Sequence, residues 1–128
     1  MLKQVQHDAE QCFFYKFLFI FALTMKILVT GATGLLGNNL IRELISRGHS
    51  VTAMIEPGIK KGTLEGLPIQ FTEGNILDPE NLKLNFEGKD IVYHAAASTN
   101  LFPNRSAKQR EINILGTKNV ADAILQSN

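Results

Sequence analysis

Residues 25–40, MKILVTGATGLLGNNL, constrain this chain more than any other stretch: a short apolar strand enters a glycine-punctuated turn and then an amphipathic helix. Ile27, Leu28 and Val29 form the continuous apolar run of a strand buried on both faces. Glycines follow at 31, 34 and 37. In such a turn the first glycine lets the chain reverse, the second lets backbone approach a pyrophosphate, and the third lets the helix pack closely on the strand. The N-terminus of the helix then faces the phosphates with free N–H groups.

Three glycines alone fit an ordinary tight strand-to-helix turn as well as they fit a phosphate cradle. The surroundings favour the cradle. Leu36, Leu40, Ile41, Leu44 and Ile45 make an apolar stripe at helical spacing, with Asn38, Asn39, Arg42, Glu43 and Arg47 on the other side. Gly48 is expected to stop the helix, and residues 51–55 read as a second strand. Together they complete a β-α-β unit of the ~30 residues that a dinucleotide fold needs. No Gly-Lys-Ser/Thr follows the turn, which excludes the Walker A type of phosphate loop.

A chain of 128 residues is one domain at most, and its formal charge of +1 is mixed along the sequence rather than clustered. No basic face therefore points to a nucleic-acid partner. The single cysteine, Cys12, has no internal disulfide partner, which fits a reducing, cytoplasmic compartment. No metal site is expected, because His7, His49 and His94 lack ligand spacing and Cys12 is far from all three in sequence.

Residues 12–23, CFFYKFLFIFAL, are apolar except for Lys16 and hold five of the eight phenylalanines. The run is shorter than the ~20 apolar residues that span a bilayer, and no small-x-small cleavage site follows it. The plainest reading makes Met25 the start of the folded unit and residues 1–24 a leader or non-native extension. Interfacial membrane association through 12–23, or packing of the leader onto the domain, are the alternatives.

Further along, Glu56 ends the second strand before the Pro57–Gly58 turn. A carboxylate ~20 residues beyond the glycine turn accepts hydrogen bonds from the adenosine ribose hydroxyls and repels a 2′-phosphate, favouring NAD over NADP. The alternatives are a solvated loop glutamate, or phosphate binding by the nearby Lys60 and Lys61. Residues 69–72 read as a third strand. Asp78 is expected to cap a short helix with Pro79 at its first position, Leu82 and Phe86 facing the core, and Gly88 ending it. Residues 90–96 read as a fourth strand whose end at Ala95, Ala96 and Ala97 is small enough to let a dinucleotide cross the sheet. His94 is read as a satisfied core histidine rather than a catalytic group. After a loop at 101–105 containing Pro103, Ser106 with Gln109 fits a capping box. It opens a long helix with Ile112, Leu115, Val120, Ala123 and Ile124 on its apolar face and Gly116 allowing close approach to the sheet.

The GxxGxxG spacing of TGATGLLG resembles that of the extended short-chain dehydrogenase/reductases, the NAD-dependent epimerase/dehydratases and dihydroflavonol-reductase-like proteins among them. Residues 74–78, GNILD, are similar to the family's GDLxD segment with Asn75 in place of aspartate; VYHAA is similar to VxHxAA, and NILGTKN to NxxGTxN. The resemblance covers residues 25–128. It implies the N-terminal half of a Rossmann-type, doubly wound parallel α/β sheet, with about four strands in the order 3-2-1-4 and helices on both faces. It also implies a cofactor site built from Gly31, Thr33, Gly34, Leu35, Leu36 and Gly37 in the turn, with Glu56, Asn75, Ile76, Ala95, Ala96, Ala97 and Asn113. For Asn113 a plain helix-surface amide is the other reading. NAD is expected over NADP, since dihydroflavonol-reductase-like relatives often carry arginine where Glu56 stands.

Members of this family work through a tyrosine and a lysine four residues later, the lysine lowering the phenol pKa for proton exchange. Tyr15 and Tyr93 are followed at that distance by Phe19 and Ala97, so no catalytic pair is present. The expectation is a truncated, cofactor-binding N-terminal portion, whose full-length parent is a homodimer. A non-catalytic dinucleotide-sensing module and a structural fragment that binds nothing are the competing readings.

Overall fold

The structure, a computed structural model, describes residues 11, 24–99 and 107–127. The expectations for the run at 12–23, the loop at 101–105 and the cap at Ser106 lie outside the described residues. Four strands, β1 (Lys26–Thr30), β2 (Ser50–Ile55), β3 (Gln70–Glu73) and β4 (Ile91–His94), form one parallel sheet in the order β3-β2-β1-β4. This is the expected 3-2-1-4 half of a doubly wound fold. β1 is central: Leu28 is in register with Thr52 of β2 on one side and Val92 of β4 on the other.

Alternation along β1 sends its side chains to two separate cores. Ile27 and Val29 join Val51, Ala53, Ile41, Leu44 and Leu64 beneath helix α1 (Leu35–Ser46). Leu28 joins Met54, Ile76, Leu82, Phe86, Val120 and Ala123 beneath helices α2 (Pro79–Phe86) and α4 (Thr117–Gln126). Helices thus cover both faces, and Ile27, Leu28 and Val29 are all sealed. Burying Leu82 and Phe86 contributes about 1.5–3 kcal/mol each, enough to hold the short α2 in place.

The helix ends follow their local chemistry. At the end of α1, Gly48 (φ +81°) donates its N–H to Ile45 O at 2.9 Å while His49 N–H reaches Leu44 O at 3.1 Å, a Schellman closure that requires the left-handed glycine. Asp78 caps α2 by accepting from Asn81 N–H at 3.1 Å, with Pro79 at the first helical position.

Two stripe residues need correction. Leu36 is 70% exposed, because Gly37, Ile41 and Leu44 form the buried line of α1 and Leu36 stands about 100° around the helix from Gly37. Leu115 also faces outward. The last helical stretch is not one continuous α-helix but a single turn, α3 (Ala107–Arg110), a π-helical segment (Glu111–Gly116), and then α4. Its close approach is made at Gly116, against Ile76 of the loop after β3 rather than against the sheet: a Cβ there would lie 2.5 Å from Ile76 Cδ1.

Candidate functional site

A cavity of about 370 Å³ opens where the carboxyl ends of the four strands meet. Gly31, Ala32, Thr33 and Gly34 line it after β1, Met54, Ile55, Glu56 and Ile59 at the end of β2, Gly74 and Ile76 after β3, and Ala95, Ala96, Ala97 and Ser98 after β4. Ile112 of the π-helical segment completes the lining. Crevices at strand carboxyl ends are where open α/β sheets take ligands.

The three glycines divide the work according to their surroundings. Gly31 turns the chain at φ +64° and lies so close to β4 that a Cβ would stand 2.5 Å from Ala96 N and 2.6 Å from Ala95 O. Gly37 is packed on the turn itself, where a Cβ would overlap Gly31 O. Gly34 is different. It has ordinary backbone angles (φ −73°), and a Cβ would meet only Gly31 O, at 3.3 Å. As N-cap of α1 it supplies no side chain to the first N–H groups, so no cap bond occupies the helix donors at this end of the cavity.

At the other end, Glu56, Pro57, Gly58 and Ile59 form a tight turn in which Ile59 N–H donates to Glu56 O at 3.1 Å and Gly58 takes φ +81°. Proline second and a left-handed glycine third are what a type II turn demands. The turn leaves Glu56 and Ile59 beside the cavity.

The wall after β4 is held by side chains. Ala96 N–H donates to Thr30 Oγ1 at 3.3 Å, Thr30 Oγ1 lies 2.8 Å from His94 Nδ1, His94 Nε2 lies 3.1 Å from Thr117 Oγ1, and that hydroxyl donates to Asn113 O at 2.8 Å. Thr117 has given its only proton to Asn113, so it accepts from His94 Nε2–H, and Nδ1 then accepts from Thr30. Every member of the chain is satisfied by one neutral tautomer. Burial also holds the His94 imidazole below its ordinary pKa of 6.5. Both ring nitrogens are thus engaged inside the protein. Asn113 adds a clamp, its Oδ1 accepting from Ser98 N–H at 2.8 Å and its Nδ2 donating to Ser98 O at 3.0 Å.

Of the predicted site residues, Gly31, Thr33, Gly34, Glu56, Ile76, Ala95, Ala96 and Ala97 meet at this cavity. Leu35, Leu36, Gly37, Asn75 and Asn113 are not in its lining. Asn75 accepts from Leu77 N–H with its Oδ1 at 2.9 Å, shaping its own turn, and Asn113 acts one step away through Ser98. Sequence reasoning missed Ala32, Met54, Ile55, Ile59, Gly74, Ser98 and Ile112. All seven adjoin or lie within three residues of residues already singled out, a signal that was available; Ile112, next to Asn113, reaches the cavity through the path of the π-helical segment, which no spacing announced. Among the described residues, no group of three potential ligands gathers to hold a metal ion, and no helix is long and apolar enough to cross a membrane.

The family model described as NAD dependent epimerase/dehydratase matches residues 27–128. The chain belongs to the NAD-dependent epimerase/dehydratase family. Over 94 residues it is 35% identical to sterol demethylase protein B of Methylococcus capsulatus, covering 73% of this chain and 29% of that protein. Over 99 residues it is 35% identical to 4-hydroxy-2-methyl-3-oxo-4-farnesyl-3,4-dihydroquinoline-1-oxide ketoreductase of Stigmatella aurantiaca, covering 77% of this chain and 29% of the relative. Among solved structures, the Bordetella bronchiseptica enzyme WbmH in complex with NAD+ superposes with a TM-score of 0.70 at 27% identity, covering 82% of this chain and 36% of that one. This epimerase/dehydratase chain therefore spans less than a third of the length of these curated relatives.

Proposed function

We propose that this chain is the cofactor-binding N-terminal portion of an NAD-dependent epimerase, dehydratase or carbonyl reductase, and that alone it binds dinucleotide without turning over substrate. The observation that carries the reading is the continuity of one cavity from the uncapped helix start at Gly34, past the small wall at Ala95–Ala97, to Glu56. The residues fit the group. Gly31, Thr33 and Gly34 with the first N–H groups of α1 would hold a pyrophosphate, and Glu56 and Ile59 would flank the adenosine ribose. Ile76, Ala96 and Ile112 supply apolar surface that excludes water from the same space. When bound, a nicotinamide dinucleotide supplies hydride transfer; this chain's residues orient it, and the missing Tyr-x-x-x-Lys pair leaves proton exchange with a substrate unserved.

Calorimetric titration of the full chain with NAD and NADP tests the proposal. NAD is expected to bind more tightly, and Gly34→Val to abolish the heat of binding while the far-ultraviolet spectrum stays unchanged. Gly34 is the right control because its backbone angles suit any residue, whereas Gly31 and Gly37 are held by contacts that a side chain would break. No heat from a folded sample would overturn the proposal; tighter binding of NADP would overturn the role of Glu56.

A further inference from the structure

Between the Glu56–Ile59 turn and β3 the chain makes a single 3₁₀ turn, Gly62–Leu64, and helix α1 grips it. Asn38 Nδ2 donates to Thr63 Oγ1 at 2.7 Å, Arg42 Nη2 donates to Thr63 O at 2.7 Å, and Arg42 Nε donates to Asn38 Oδ1 at 3.0 Å. Asn38 and Arg42 are one helical turn apart, so both reach the same residue from one face. Leu64, fully buried in the α1 core, anchors the next position.

The clamp has a directional consequence. With β2 ending at Ile55 and Thr63 held at the other end, only residues 56–62 lie between, and they carry Glu56 and Ile59 into the cavity lining. The same path places the Lys61 ammonium 4.3 Å from the centre of the Phe71 ring, on β3 and outside the cavity. The fixed segment thus sets Glu56 beside the cavity and keeps one neighbouring cation turned aside. Discrimination between a ribose 2′-hydroxyl and a 2′-phosphate depends on that sign of charge and on its distance from the ligand.

We propose that Asn38 and Arg42 are positioning residues for cofactor selectivity: by clamping Thr63 they hold Glu56 at the cavity and Lys61 against Phe71, and so enforce preference for NAD over NADP. The inference rests on the dinucleotide reading of the cavity. Neither residue touches the ligand in this scheme; each acts through the path of residues 56–62.

The test is the ratio of NADP to NAD dissociation constants, measured on the full chain for the unaltered protein, the double variant Asn38→Ala/Arg42→Ala, and Thr63→Val. Loss of the clamp is expected to shrink the ratio at least about fivefold, the equivalent of one hydrogen bond's net contribution. Thr63→Val removes a single acceptor and is expected to shrink it less. Phe71→Leu, which frees Lys61 without touching the clamp, is expected to shift the ratio the same way. A merely structural role would weaken NAD and NADP by one common factor, and an unchanged ratio in folded clamp variants would overturn the inference while leaving dinucleotide binding intact. An unaltered chain that binds neither nucleotide would overturn the dinucleotide reading, and the inference with it. Should the double variant fail to fold, the Thr63→Val and Phe71→Leu ratios decide.

Discussion

The two walls of the cavity are held in place by different means. The wall after β1 is made of backbone: Gly31, Gly34 and Gly37 fold the chain so tightly that little but hydrogen fits at Gly31 and Gly37, and no side chain is needed to keep the turn. The wall after β4 is an irregular stretch of small residues held by a relay from Thr30 through His94 and Thr117 to Asn113. Backbone packing fails all at once when an atom is added. A hydrogen-bond relay loses its members one at a time, and one of its members titrates.

Substitutions sharpen this contrast, with the largest effect on the backbone wall. Gly31→Ala combines a positive φ with a Cβ 2.5 Å from Ala96 N, so we expect about 2–5 kcal/mol of destabilisation, or failure to fold, in urea denaturation. Asn113→Ala removes both bonds to the Ser98 backbone at an exposed position, and about 1–2 kcal/mol is expected, with increased amide exchange at Ser98. If Asn113→Ala destabilised as much as Gly31→Ala, the distinction between the walls would fail.

The titrating member gives a third expectation. Because burial lowers the His94 pKa in the folded state, the unfolded chain binds more protons below about pH 6.5. The contribution is fully present above 6.5 and is lost as pH falls from there through the lower folded value. Denaturation midpoints at pH 7.5 and 5.5 should therefore differ more for the unaltered chain than for His94→Gln, with acid the destabilising direction. Equal differences would remove His94 from the relay's energetics. Smallest of all, Glu43→Ala breaks an ion pair with Arg47 whose side chains are 55% and 67% exposed, and less than about 0.5 kcal/mol is expected.

Legibility followed the same division. The glycine turn, the strand before it and the cap at Asp78 with Pro79 are local devices, each readable within a few residues because the backbone conformation dictates the residue type. The α1 stripe was readable to within one position, Leu36, since a period of 3.6 places a face but not the width that the sheet beneath will cover. Asn113 shows where local reading stops. Its motif signalled a site residue, yet its amide spends both polar atoms on Ser98, fifteen positions away in sequence.

The sequence by itself determined the β-α-β unit and the two-faced core through periodicity and glycine stereochemistry, and the strand order and the family through the resemblance that its motifs carry. Only the tertiary structure decided that Gly116 meets Ile76, that Ile112 turns into the cavity, that His94 is a neutral bridge and that Asn38 and Arg42 grip Thr63. Each of these depends on which side chains arrive at the same point from distant parts of the chain. That meeting is set by the packing of whole elements, and no spacing within one element encodes it.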